Sequence, residues 1–144
     1  MNNNSQIAKT VVTSQLITME KYEQLLYKDS VGVYTCGFGR NMQSKGLSYP
    51  EALILLKNDI DECEQELLSN IPFYKNLDAP RQVVLLNMCF NLGLAGLMEF
   101  KNMLQLVSKG QYQIAAQEML ASLWAKQVPE RAKTLADIME KGHL

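Results

Sequence analysis

Histidine is nearly missing from this chain: the only one, His143, stands next to last among 144 residues. That scarcity argues against a histidine-built metal centre and against a Ser-His-Asp triad. Cysteine is also sparse. Cys36, Cys63 and Cys89 are an odd number without a C-x-x-C pair, and their apolar neighbours predict buried free thiols in a reducing compartment. Charge of one sign is not in surplus either. Fourteen Lys and Arg face fifteen Asp and Glu, a net −1, so no nucleic acid or anionic membrane partner is expected. Residues 1–70 carry six basic against nine acidic side chains, and residues 71–144 eight against six, a mild asymmetry that by itself predicts nothing. No apolar run approaches the roughly 20 residues that span a bilayer. The opening MNNNSQIAKTVVTSQLITME lacks both the basic start and the apolar run of a secretory signal. The expectation is a chain made and kept in a cytoplasm unless another protein exports it. Gly37-Phe-Gly39 is not a phosphate loop, because no helix and no G-K-[ST] follow it. No cofactor and no metal are expected.

What is present reads as one α+β domain. Its length suffices to bury a core without staples, and 47% hydrophobic against 20% charged residues is an ordinary globular balance. Ile7, Val11, Val12 and Leu16 recur at helical spacing and predict a first helix running toward Glu20. From Glu23 to Met42 the chain is rich in Tyr, Val and Thr, punctuated by glycines, and turns at Asp29-Ser-Val-Gly32. This predicts an antiparallel sheet of two or three strands. Ser48-Tyr-Pro-Glu51 is a capping box opening a long helix, whose apolar stripe is Leu53, Leu56, Ile60, Cys63 and Leu67. Asp59, Asp61, Glu62, Glu64 and Glu66 read as its solvated face. Asp78 caps the next helix, apolar nearly all round from Val83 to Leu92 and predicted to be a buried centre, with Gly93 and Gly96 ending it. Helices near 100–108 and 112–123 and a last one over 129–141 complete the pattern. The predicted anatomy is a small β-containing lobe (about 14–48), a connecting helix (about 49–70) and a helical lobe (about 71–144), with a cleft between the lobes able to take a long polymer.

Two carboxyl groups offered across an opening suit glycosidic hydrolysis. One protonates the leaving oxygen, and the other activates water or attacks from the opposite face of the sugar. Glu20 at a helix end and Asp29, nine residues on beyond one strand, are such a pair. Two acids at this spacing are common, and each alone reads as a surface charge. Their setting singles them out: Tyr27-Lys-Asp29-Ser-Val-Gly32-Val-Tyr34-Thr35-Cys-Gly37-Phe-Gly39.

That segment resembles the signature of the phage-type lysozymes (glycoside hydrolase family 24), particularly those of the T-even bacteriophages. Two further stretches, Asn87-Met-Cys-Phe90-Asn91-Leu-Gly93 and Trp124-Ala-Lys-Gln-Val-Pro129-Glu-Arg131, resemble the family in the same order. The resemblance covers nearly all of the chain after about residue 14. It implies a lysozyme-like fold and cleavage of the β-1,4 bond between N-acetylmuramic acid and N-acetylglucosamine in peptidoglycan. It further implies Glu20 as general acid, Asp29 and Thr35 holding a water for inversion, Arg131 beside Glu20, and Phe90 and Asn91 touching saccharide. Burial favours the protonated acid and Arg131 the carboxylate, so exclusion of water by bound saccharide is expected to tip the balance. The role implied is a monomeric bacteriolytic endolysin that reaches the periplasm through a membrane-pore (holin-like) partner. A toxin delivered by a secretion system, a transglycosylase and a non-catalytic wall-binding module remain alternatives. The presence of all three of Glu20, Asp29 and Thr35 argues against the last, and a water-holding pair favours hydrolysis.

The chain also departs from the family pattern. Lys21 stands where glycine is usual, predicting a different backbone there. Arg40 stands where histidine is frequent and is expected to pair with Asp59. The stretch from Gly39 to Ser48 is shorter than in the T-even enzymes, and about nine residues are added at the start. Tyr27 and Tyr34 read as sheet packing more than sugar platforms, and Trp124 as core.

Overall fold

A computed structural model describes residues 3–144, which divide into two compact units at Leu53/Ile54. The first unit begins with α1 (Asn3–Glu20), the helix expected from the Ile7 to Leu16 spacing; none of its residues is buried. Three antiparallel strands follow, β1 (Glu23–Lys28), β2 (Tyr34–Gly37) and β3 (Arg40–Asn41), side by side in chain order. Register is set by Tyr27 opposite Thr35 and Thr35 opposite Asn41, so Thr35 occupies the middle of the sheet. Thr35 is the one buried residue of this unit among those described.

Polar contacts hold the end of the sheet to the start of α2 (Tyr49–Asn70). The capping box forms as the sequence predicts. Ser48 donates its backbone N–H to Glu51 Oε2 at 2.8 Å, and its Oγ accepts from the Glu51 N–H at 3.4 Å. Arg40 does not reach Asp59. Its guanidinium makes a bidentate pair with Glu51 (2.8 and 2.9 Å) and gives its Nε–H to the Gly46 carbonyl at 3.0 Å. Glu51 is already held by the cap at the first turn of the helix, next to the strand end, whereas Asp59 lies two turns farther along and is exposed.

The second unit contains the rest of α2, a short 3₁₀ helix at Tyr74–Asn76 and five further α-helices among the described residues. These are α3 (Ala79–Met98), α4 (Lys101–Ser108), α5 (Tyr112–Leu120), α6 (Leu123–Gln127) and α7 (Pro129–Lys141). The helix expected over 112–123 ends early, because the Ser122 Oγ accepts from the Ala125 N–H (3.2 Å) and starts a new one. The α2 stripe is buried only toward its end: Leu67 is enclosed, while Leu56 and Ile60 stay about two-fifths exposed (40% and 41%). α3 is long and apolar enough to cross a bilayer by length and composition, contrary to the sequence expectation. Its Val84, Leu85, Met88 and Leu97 are instead in the apolar core of the helical unit. It is not buried all round, since Val83 and Leu86 are half-buried and Phe90 is exposed. Gly93 breaks the helix as expected, with φ 73 and ψ 163, a conformation open to glycine without steric cost, whereas Gly96 does not end it: helical backbone resumes after Gly93 and runs to Met98. α5 and α7 pack most closely, and buried Ala115, Ala116, Ala132 and Ala136 let two helices approach. Trp124 is core, as expected, with Phe100 edge-on to its ring at 5.9 Å.

A buried cation ties the start of α3 to the end of α7. Asp78 caps α3 by accepting the Arg81 N–H (3.0 Å) and also takes the Arg81 guanidinium (2.8 Å). The same guanidinium donates to the Met139 and Glu140 carbonyls (2.9 and 3.0 Å) and lies 4.0 Å from the centre of the Tyr112 ring. These are among the last carbonyls of α7, where a positive charge is favoured.

Replacing Arg81 by Ala is expected to lower unfolding free energy by about 2–4 kcal/mol, because carbonyls and a carboxylate lose a charged donor. Urea unfolding measures this, and a loss below about 1 kcal/mol would contradict the clamp. A second expectation concerns acid. The Ser48 backbone N–H first, then the Ser48 side chain and Arg40, hold the Glu51 carboxyl below its ordinary 4.5. A carboxyl depressed in the folded state contributes stability above the unfolded value and loses it as pH falls through the folded one. The stability gap between the parent and Glu51→Gln should therefore narrow as pH drops below 4.5, read by denaturant midpoints.

Candidate active site

Glu20 is the last residue of α1, and β1 begins three residues later at Glu23. Lys21, where the family pattern has glycine, takes φ 55, the one left-handed non-glycine residue among those described. The expected change of backbone does not appear as an avoidance of this region: Lys21 adopts a glycine-like conformation at a cost of about 1 kcal/mol. The Glu20 carboxyl lies against Gly39, where a Cβ would sit 3.0 Å from Glu20 Cδ and closer still to its oxygen. Gly39 has φ 69, a conformation that favours glycine, and its missing side chain leaves room for the Glu20 carboxyl. Glu20 is exposed and makes no hydrogen bond or ion pair with any described residue.

Asp29 closes the turn between β1 and β2. Its Oδ1 accepts from the Val31 and Val33 N–H groups (2.9 and 2.8 Å), while its own N–H goes to the Val33 carbonyl at 3.0 Å. Its Oδ2 has no partner among the described residues. Thr35, 4% exposed, donates its hydroxyl to the same Val33 carbonyl at 3.0 Å. Asp29 and Thr35 are thus joined through the backbone of Val33. Sequence reading could not single out Val33, because it acts through main-chain atoms that any residue carries.

The remaining candidates belong to the helical unit. Phe90 and Arg131 line one pocket of about 370 Å³ with Leu56, Ile60, Leu86 and Asn87, an apolar recess with one cation at its edge. Arg131 makes no ion pair or hydrogen bond with a described residue. Asn91 is not on that pocket; its Oδ1 accepts the Trp124 indole N–H at 2.8 Å and so anchors the core. In the sheet, the Tyr34 ring is covered by the Lys28 ammonium at 5.1 Å, and Tyr27 pairs opposite Thr35.

Residues 17–140 match the family described as phage lysozyme. Two proteins of Dictyostelium discoideum, "Probable T4-type lysozyme 1" and "Probable T4-type lysozyme 2", are 29% and 28% identical, each over 92% of this chain and 98% of their own length. The pre-baseplate central spike protein Gp5 of Enterobacteria phage T4 is 28% identical over 68% of this chain, but over 18% of its own length. The family match begins before Glu20, runs through the Asp29 turn and α3, and ends in α7. The chain belongs to the phage lysozyme family and is a lysozyme, a glycoside hydrolase acting on peptidoglycan.

Proposed function

We propose that Glu20, Asp29 and Thr35 carry the hydrolysis, cutting the β-1,4 bond between N-acetylmuramic acid and N-acetylglucosamine with inversion. The observation that carries this reading is the division of labour within Asp29. One oxygen is fixed by two backbone N–H groups, and the other is left open as an acceptor. Asp29 Oδ2 takes a proton from water as that water attacks the anomeric carbon. Thr35 has committed its own hydrogen to Val33, so its oxygen offers a lone pair to the same water and orients it. Glu20, free of competing partners, gives its proton to the leaving oxygen. Arg131 as support for the acid, and Phe90 and Asn91 as saccharide contacts, rest on the family resemblance. In this reading the protein is a monomeric bacteriolytic endolysin acting on the wall in the periplasm, with a membrane-pore protein as its route there.

Purified peptidoglycan tests the chemistry. Mass analysis of the digest should find reducing muramic acid ends, and anhydro ends would mean a transglycosylase instead. Glu20→Gln and Asp29→Ala should each lower the rate by about 10²–10⁴-fold with the fold intact. A rate equal to the parent's in either variant would sink the assignment. Gly39→Ala pushes a methyl group into the Glu20 carboxyl, so it should lose activity out of proportion to its loss of stability. For the endolysin role, cytoplasmic expression should lyse a host only when a pore-forming partner is co-expressed.

A further inference from the structure

The solvated face expected of α2 has one exception, and it is chemically specific. Glu66 is half-buried, unlike the exposed Asp59, Asp61, Glu62 and Glu64. Its carboxylate meets the Cys89 thiol of α3, with Sγ to Oε2 at 3.7 Å. Cys63 lies three residues before Glu66, one turn back on the same helix face. The two sulfurs and a Glu66 oxygen all lie within 4.8 Å of one another. All three cysteines are free thiols, and Cys89 is 1% exposed.

We propose that Cys63, Glu66 and Cys89 form a binding site for a thiophilic divalent cation, Zn²⁺ by preference, linking α2 to α3. Two sulfurs and one carboxylate oxygen are a donor set for zinc and not for Ca²⁺ or Mg²⁺, which take oxygen ligands. An i, i+3 pair on one helix and a third ligand on its neighbour give three coordination positions, with water at the fourth. The ion enters as the two thiols lose their protons to solvent and the carboxylate arrives already charged. The complex has two thiolates, one carboxylate and Zn²⁺, a net −1.

A second observation points to the same corner. Tyr74 is 1% exposed, and its hydroxyl has no hydrogen-bond partner among the described residues. Tyr74 lies close enough to Cys89 for the two to interact electrostatically.

The test uses the full-length protein, reduced and stripped with chelator, titrated with Co²⁺ as a coloured stand-in for Zn²⁺. The expected result is a thiolate-to-cobalt charge-transfer band saturating at one equivalent, bleached by Zn²⁺, together with a raised unfolding midpoint in Zn²⁺. Cys63→Ser and Glu66→Gln alter half-buried positions and should weaken binding by roughly 10–100-fold or more. Cys36→Ser, in the sheet, should leave the band unchanged. Absence of the band overturns the proposal. So does a band unaffected by both Cys63→Ser and Glu66→Gln, or one lost in Cys36→Ser. Glu66→Gln keeps both thiols and most of the side-chain shape, so it serves even where Cys63→Ser fails to fold.

Discussion

The Asp29 Oδ1 atom accepts two backbone N–H groups and so decides the path of the chain from β1 into β2. From that one acceptor the rest of the sheet unit follows. The turn closes on the Val33 carbonyl, which receives both the Asp29 N–H and the Thr35 hydroxyl. Thr35 then pairs with Tyr27 on one side and Asn41 on the other, so the register of all three strands is referred back to the turn. A carboxylate that does structural work with one oxygen is oriented for chemical work with the other. The same bonds that fold the hairpin therefore fix the direction of the proposed base, at no separate entropic cost.

The two units are held by different physics. The helical unit buries Leu85, Met88, Leu97 and their neighbours in a continuous apolar core, and its main polar element, Arg81, fastens helix ends. The sheet unit has Thr35 as its only buried residue among those described, and it is held by directional contacts: the Asp29 turn, the capping box and the Arg40–Glu51 pair. Directional contacts define positions tightly but respond to protonation, whereas apolar packing does not. Part of the acid response of this protein should accordingly arise in its sheet unit, beside the residues proposed to do the chemistry, and part at the Asp78–Arg81 pair of the helical unit.

Much of this was legible in the sequence where a residue's role is local. Ser48 and Glu51 satisfy each other within one turn, so three positions sufficed to read the start of α2. The Asp29-to-Gly32 turn was legible for the same reason. Misreadings came where partners are chosen by competition over distance. Arg40 had several acids along α2 to choose from, and the one already fixed by a cap prevailed over one that would first have to be ordered. Gly93 breaks α3 as its stop signal predicts, whereas Gly96 carried the same signal and lies within the helical backbone that resumes beyond it, where Leu97 is buried. Glu66 looked like its acidic neighbours because periodicity reports the average face of a helix and not the residue at its margin. Val33 left no signal, since backbone groups are common to every residue.

Lys21 and Gly39 carry the argument to Glu20 itself. Between the end of α1 at Glu20 and the start of β1 at Glu23 the chain passes through a left-handed Lys21. That conformation costs about 1 kcal/mol for a residue with a side chain, and evolution had a cheaper residue available in glycine. On the other side of the carboxyl stands Gly39, whose φ of 69 favours glycine and whose missing Cβ leaves room for the Glu20 carboxyl. The two left-handed residues thus stand on either side of the Glu20 carboxyl, and the one that faces it carries no side chain.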